Sequence, residues 1–297
     1  MDLTGFAERV GTSGTVSIRG RSSRTVERTV NVDIDRVVTA PNGVVEYHPD
    51  EMTITCGAGT PLESIRNVTA ENGQSVALPG SGTVGGALSV GRSGIDRLGV
   101  GPVRDTLLQA TFVDHRGELI TVGGPTVKNV SGFDLARLLV GSFGRLGFIA
   151  RVILRTRPVP RASSWFETDA DWSRVVELQT VLYRPAALLW NGDRLAIRLD
   201  GDPDDIAESS RRFGLSPRTG APFAENEFTH RWSVAPIEVP AIVRSARAPV
   251  WAEVGVGIVH HVEPQPSRRG TPNRIELRLL DEFDPDRRLN PDVVFPQ

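Results

Sequence analysis

The sequence predicts an α+β chain in two parts: a glycine-rich, strand-dominated first part and a smaller α/β sandwich. Three observations carry this. Strand-like runs in the first part end at Gly, Pro or Asp and do not alternate regularly with helices. All five tryptophans, Trp165, Trp172, Trp190, Trp232 and Trp251, come at or after the end of a proline-punctuated stretch, "RTRPVPRASSW". A second proline-rich stretch, "VEPQPSRRGTPN", follows them. The expected boundaries are 1–160, 165–262 and a tail over 274–297, which composition alone assigns to neither part.

In the first part, "TVSIRG", "TVNVDI", "VVEYHP" and "MTITCG" read as short β-branched strands. "PLESIRNVTAENG" reads as a helix, with Pro61 near its start, Leu62, Ile65 and Val68 at helical spacing, and Gly73 past its end. "TLLQATFVDHRGELITVGG" gives strand, turn at Asp114–Gly117, strand. "DLARLLVGSFG" is a short helix with Asp134 as N-cap, and "LGFIARVILRTRP" is a strand. In the second part, "DWSRVVELQTVLYRP" is amphipathic, with Val175, Val176, Leu178, Val181 and Leu182 as its stripe. "ALLWNGDRLAIRL" is a hairpin turning at Asn191-Gly192. "DPDDIAESSRRFGL" is a capped helix, and "VWAEVGVGIVHHV" is a long apolar strand. Two helices over an antiparallel sheet are expected.

The 297-residue chain has net charge −2, with 39% hydrophobic and 24% charged residues. That balance gives no electrostatic pull toward nucleic acid or an anionic membrane, and no Lys/Arg block appears. Its one cysteine, Cys56, excludes an intramolecular disulfide and a cysteine zinc cluster, and reads as a buried strand residue. "MDLTGFAERVG" lacks the basic and apolar regions of a signal peptide. No apolar run reaches the roughly 18–20 residues of a membrane span.

Four glycine-rich pieces stand out: "IRGRSSR", "LPGSGTVGGALSVGRSG", "VGGPTVKNVSGFD" and "VGSFGRLGFI". Singly each is a tight turn. Together they point to a phosphate-bearing ligand approached closely by backbone. There is no GxxxxGK[ST], and "GSGTVGG" sits in no βαβ unit, so neither a P-loop nor a Rossmann site is expected.

The order of "RGRSSR", "AGTPL", "PGSGTVGGALSVGRSG", "DHRGELITVGG" and "VKNVSGFDLARLLVGSFGRLGFI", closed by "LLDEFDPDRRLNPDVVF", resembles the PCMH-type FAD-binding domain of the vanillyl-alcohol-oxidase superfamily. Within it the chain is similar to the FAD-binding subunits of glycolate oxidase (glycolate dehydrogenase). The resemblance implies two α+β subdomains holding FAD, a smaller cap domain over the flavin, and a tail returning to the FAD-binding domain. By position, Arg19, Gly20, Arg21, Ser22, Ser23 and Arg24 match the first pyrophosphate loop. Pro79 and the run Ser81, Gly82, Thr83, Val84, Gly85, Gly86 and Ala87 match the second, with the Gly85 and Gly86 amides expected on the phosphates. Gly144, Gly147 and Ile149 match the segment at the adenine end, and Asn290 the tail residue near the flavin.

Three departures bear on this. Arg21 and Ser22 replace smaller residues, which either puts phosphate on side chains or weakens FAD binding. The stretch before the loop is short, so that subdomain is either trimmed or completed by a partner. Ser22 and Ser23 cannot link flavin covalently, so non-covalent FAD is expected.

The implied activity is hydride removal from a small 2-hydroxy acid such as glycolate or lactate. Electrons would pass to an iron–sulfur subunit and a sister FAD subunit, in the cytoplasm or at the inner face of the membrane through those partners. Two alternatives stand beside it: a non-catalytic FAD-binding subunit with a structural or electron-relay role, and a stand-alone sugar or alcohol oxidase, whose cap is usually larger. His260 and His261 are the catalytic candidates, and as strand neighbours only one can face a site; the other reading is a solvent-facing pair. No spaced histidines and carboxylate suggest a metal site. Arg104-Asp105 is either a local ion pair or a cofactor contact. The tryptophans either line the cap's contact with flavin or form its own core. Lys128 is the only lysine among 34 basic residues. Its compact ammonium suits a crowded turn that a guanidinium would not fit, so it is expected either near FAD, at the phosphates or the pyrimidine edge, or bound to loop carbonyls.

Overall fold

A computed structural model describes residues 1–21, 32–125, 135–224, 227–266 and 274–293. The chain forms two compact units. The first takes 1–94, 102–159 and 269–297, and the second takes 95–101 and 160–268.

The first unit has two layers of packing. Its opening helix, Leu3–Val10, starts where the Asp2 carboxylate accepts the Gly5 N–H at 2.7 Å. It ends at Gly11, whose φ of 65° suits glycine. Phe6 and Val10 are buried against Val16, Val38, Val113, Phe148 and Leu289. Strand Val16–Ile18 pairs in parallel with Arg36–Val38. The expected strand "TVNVDI" differs: residues 29–31 lie outside the described residues, and Val32–Ile34 is not strand. There the chain turns instead, because Thr15 donates to the Asp33 carbonyl (2.8 Å) and through its N–H to the Asp35 carboxylate (2.7 Å).

A five-stranded antiparallel sheet forms the larger layer. Its order is Val44–His48, Thr53–Gly57, Phe148–Arg155, Leu107–Val113, Leu119–Gly123. Helices Leu62–Ala70, Val84–Val90, Leu135–Leu139 and Arg274–Phe283 contribute to its core. The Asp134 cap lies outside the described residues. Cys56 is fully buried in this core, and burial pushes its thiol up to about 12.

The second unit is a seven-stranded sheet in which every neighbouring pair is antiparallel. Helices Trp172–Val181, Pro203–Phe213 and Val239–Ser245 contribute to the core on one face. The third of these was not expected. Val175, Leu178 and Leu182 are buried, whereas Val176 and Val181 are exposed. At 100° per residue the last two fall outside the core-facing arc, so the stripe is narrower than its composition suggests.

"VWAEVGVGIVHHV" is not one strand but a hairpin, Val250–Glu253 and Ile258–His261. Gly255 and Gly257, at φ of 78° and 82°, make the turn, and a Cβ on Gly257 would stand 2.3 Å from the Val234 carbonyl. Trp190 is fully buried, donates to the Ala170 carbonyl at 2.8 Å and lies 5.2 Å from the Trp172 ring. Trp165 and Trp251 pack on Ala187, Leu189 and Ala196 on the opposite face. The tryptophans thus take part in the unit's own packing.

Candidate functional site

A cavity of about 740 Å³ opens in the first unit, within the usual range for a small-molecule site. Ile18–Arg21, Thr39, Ala40 and Asn42 form one side. Ala58, Gly59, Thr83, Gly85 and Gly86 form another, and Phe143, Gly144, Ile149 and Asn290 complete it. Arg19 and Arg21 line it, while among the described residues no carboxylate, histidine or cysteine does. Of the expected residues, Arg19, Gly20, Arg21, Thr83, Gly85, Gly86, Gly144, Ile149 and Asn290 come together here. Pro79, Ser81 and Gly82 lie in the turn before the Val84–Val90 helix, while Val84 and Ala87 point into the core. Ser22, Ser23, Arg24 and Lys128 lie outside the described residues.

The Gly85 N–H donates to the Ala58 carbonyl at 2.7 Å, and the Gly86 N–H to Thr83 Oγ1 at 3.2 Å. Both amides therefore have acceptors within the protein. What Gly85 supplies is close approach, since a Cβ there would stand 2.9 Å from Ala58 Cβ. Gly57 and Gly59, which sequence reasoning did not single out, work the same way: their added Cβ atoms would meet the Pro41 and Ala40 carbonyls at 2.3 and 2.4 Å. Gly147 is a packing residue, because a Cβ there would stand 2.3 Å from the Phe112 ring.

The tail holds the cavity's first wall. Asn290 is buried with φ of 45°. Its Nδ2 donates to the Phe143 carbonyl (2.7 Å), while Oδ1 accepts from the Ile18 N–H (2.8 Å) and Ser17 Oγ (3.1 Å). One side chain thus ties three segments together, and two of its partners line the cavity. Phe143 is itself a non-glycine residue in the left-handed region, at φ of 55°. Arg19 pairs with the buried Asp292 at 2.8 Å, which leaves Arg21, exposed at the cavity, as its more accessible cation.

Arg288 anchors the tail further. Its guanidinium donates to the carbonyls of Val10, Gly11, Ser13, Gly14 and His115, capping the C-terminus of the first helix. Asp284 accepts the Arg288 and Leu289 N–H groups. Burial still pushes its carboxyl above the usual range, and burial likewise lowers Arg288.

His260 and His261 belong to the second unit and face opposite sides of its sheet. His260 Nε2 is 2.9 Å from Glu253 Oε1, to which Arg231 also donates at 2.8 Å. His261 is buried, stacks on Trp232 at 4.3 Å and accepts the Glu263 N–H. Arg104 and Asp105 form a long local pair at 3.9 Å, and Arg137 meets Asp105 at 3.4 Å. Among the described residues no group of three His, Cys, Asp or Glu side chains is placed to hold a metal ion.

Residues 11–123 match the family described as FAD binding domain. This likeness covers somewhat over a third of the chain. It is 32% identical over 186 residues to glycolate oxidase subunit GlcE of Escherichia coli (strain K12), covering 60% of this chain and 53% of that protein. It is 36% identical over 120 residues to D-lactate dehydrogenase of Archaeoglobus fulgidus, covering 39% of this chain and 27% of the other. The chain thus spans about half the length of the first relative and about a quarter of the second. Among solved structures, alkyldihydroxyacetonephosphate synthase superposes with a TM-score of 0.67 at 14% identity, over 94% of this chain and 73% of that one; this likeness is one of fold.

The residues present fit FAD. Arg19 and Arg21 line the cavity, which suits a diphosphate. Its wall at Gly144 admits no side chain, since a Cβ would stand 2.7 Å from Asn290 Nδ2. Among the described residues no helix is long and apolar enough to cross a membrane.

Proposed function

We propose that the chain is an FAD-dependent oxidoreductase subunit that oxidises a small 2-hydroxy acid such as glycolate or lactate. Electrons then pass to an iron–sulfur subunit and a sister FAD subunit. The observation that carries this is the cation-lined, glycine-walled cavity tied together by Asn290. The first unit takes the cofactor role and the second the cap and substrate role. Similarity to a glycolate oxidase subunit and a D-lactate dehydrogenase supports the substrate class. Ser22 and Ser23, at the positions that match the first pyrophosphate loop, support non-covalent FAD. A cytoplasmic location, with any membrane contact made through partners, goes with this reading.

Bound flavin supplies a two-electron acceptor. The chain's own part is to bind and orient it. Arg21 would meet the diphosphate, Arg19 is held in place by Asp292, and Asn290 fixes the Ile18 and Phe143 walls. A second reading, a non-catalytic FAD-binding subunit, is favoured by the engagement of the Gly85 and Gly86 amides. Anaerobic addition of glycolate or D-lactate to the FAD-loaded chain separates the two. Bleaching of the flavin bands by the chain alone supports catalysis, whereas bleaching only after partner subunits are added supports the second reading.

A further inference from the structure

A sheet ends at strands whose outer main-chain groups lack a neighbour, and such an edge pairs with another strand unless something blocks it. Most edges of the two large sheets are blocked. Edge strand Val44–His48 is bulged between Val44 and Glu46 and carries Glu46 and His48. Edge strand Ser216–Arg218 carries Pro217, which has no N–H to offer. At edge strand His230–Ser233 the Gln265 side chain takes both main-chain groups of Ser233. Its Oε1 accepts the N–H at 3.1 Å and its Nε2 donates to the carbonyl at 3.2 Å.

Leu119–Gly123, at the other edge of the five-stranded sheet, has none of these devices. It holds no charge and no proline, and its register with Leu107–Val113 has no bulge. The Asp114 N–H donates to the Glu118 carbonyl at 3.1 Å, and the Gly124 N–H to the Leu108 carbonyl at 3.0 Å. Along an antiparallel strand, residues turn their main-chain groups alternately to one side and the other. Ile120 and Val122 therefore bond inward. Leu119 and Thr121 turn N–H and C=O outward, and Gly123 turns out its N–H, where no partner stands among the described residues. All three residues are exposed.

The strand is also complementary to itself. Turned about a two-fold axis at Thr121, a second copy lies antiparallel, with Thr121 facing Thr121, Leu119 facing Gly123 and Ile120 facing Val122. Each Thr121 N–H then meets the other Thr121 carbonyl, and each Gly123 N–H meets the other Leu119 carbonyl. The Leu119 side chain, 39% exposed, lies against the residue that has no side chain. Ile120 and Val122 pack on the core of the first unit, so their pairing extends that apolar layer. Thr121 Oγ1, 3.0 Å from Thr111 Oγ1, lies on the opposite face beside its counterpart, a pairing that supports a sheet. Glu118, the nearest charge, faces Gly124, so no like charges are opposed.

We propose that Leu119–Gly123 is a self-association edge, through which two copies of this chain pair antiparallel and join their five-stranded sheets into one continuous sheet. One short strand per copy buries less than the roughly 1,200 Å² of a stable interface. Association is therefore reversible, with a Kd in about the micromolar range. None of Leu119–Gly123 lines the cavity, so the edge can be altered without touching it.

The test is sedimentation equilibrium of the full chain between about 1 and about 300 μM, with amide hydrogen exchange at both ends of that range. Monomer should convert to dimer across the range, and exchange at Thr121 and Gly123 should slow as the dimer forms. Thr121→Pro removes an outward N–H and leaves the bonds to Leu107–Val113 in place. It should raise the dimer Kd at least about tenfold with FAD content unchanged. Thr121→Lys sets like charges opposite each other; it should act in the same direction and serves if the proline variant does not fold. A chain that stays monomeric at every concentration overturns the proposal, as does a dimer whose Kd neither variant moves. Exchange equally slow at every concentration would mean that the edge is covered within one chain, and overturns it too.

Discussion

Replacing Asn290 by alanine removes three hydrogen bonds, one buried to Ser17 and two partly buried to Phe143 and Ile18. At about 1 kcal/mol each this costs about 3 kcal/mol. Asn290 also sits at φ of 45°, where alanine pays about 1 kcal/mol more. The expected loss of unfolding free energy is therefore about 4 kcal/mol, read from urea denaturation of the full chain. Asn290→Gly removes the same bonds without the φ penalty, so it should be about 1 kcal/mol less destabilised than the alanine variant. Ile18 and Phe143 line the cavity. If even about 1.4 kcal/mol of the loss falls on cavity geometry, FAD affinity drops about tenfold, measurable by flavin fluorescence quenching. An alanine variant with unchanged urea midpoint and unchanged FAD affinity would refute the claim that this side chain holds the wall.

Three further outcomes follow from other sites. Burial raises the Asp284 carboxyl above 3.8, so its folded form favours the proton. Stability from this group is present below the unfolded pKa and falls as pH rises through the folded one; a ¹³C carboxyl titration with a midpoint at or below 3.8 contradicts this. Cys56, with its thiol pushed up to about 12, should resist a thiol reagent at pH 8 in the native chain and react after unfolding. Lys128→Arg should weaken FAD binding or shift the flavin potential if the lysine faces the cofactor; no change in either assigns it to loop carbonyls.

Much of the fold was legible because local chemistry decided it. "DPDDIAESSRRFGL" carries an Asp N-cap, a first-turn proline and a terminal Gly, and forms the Pro203–Phe213 helix with Gly214 in the left-handed region. The last strand of the second unit was misread because Val, Ala and Ile conceal a turn. Only the Gly-x-Gly at 255–257 betrayed it, and each glycine has positive φ. At the site, the sequence marked Asn290 and the glycine runs but not their actions. Whether a glycine amide is engaged depends on a residue distant in the chain, as with Gly85 and Ala58. The Glu253–His260 link was missed for the same reason: both residues were in view, but a single extended strand would have kept them apart.

The central claim is that the first unit's cavity holds FAD without a covalent bond. The direct measurement is the absorption spectrum of the purified chain after incubation with FAD and removal of the excess, followed by acid precipitation. The account predicts flavin bands at one FAD per chain, all released into the supernatant. A colourless protein that retains no FAD, or flavin that stays with the precipitate, would contradict it.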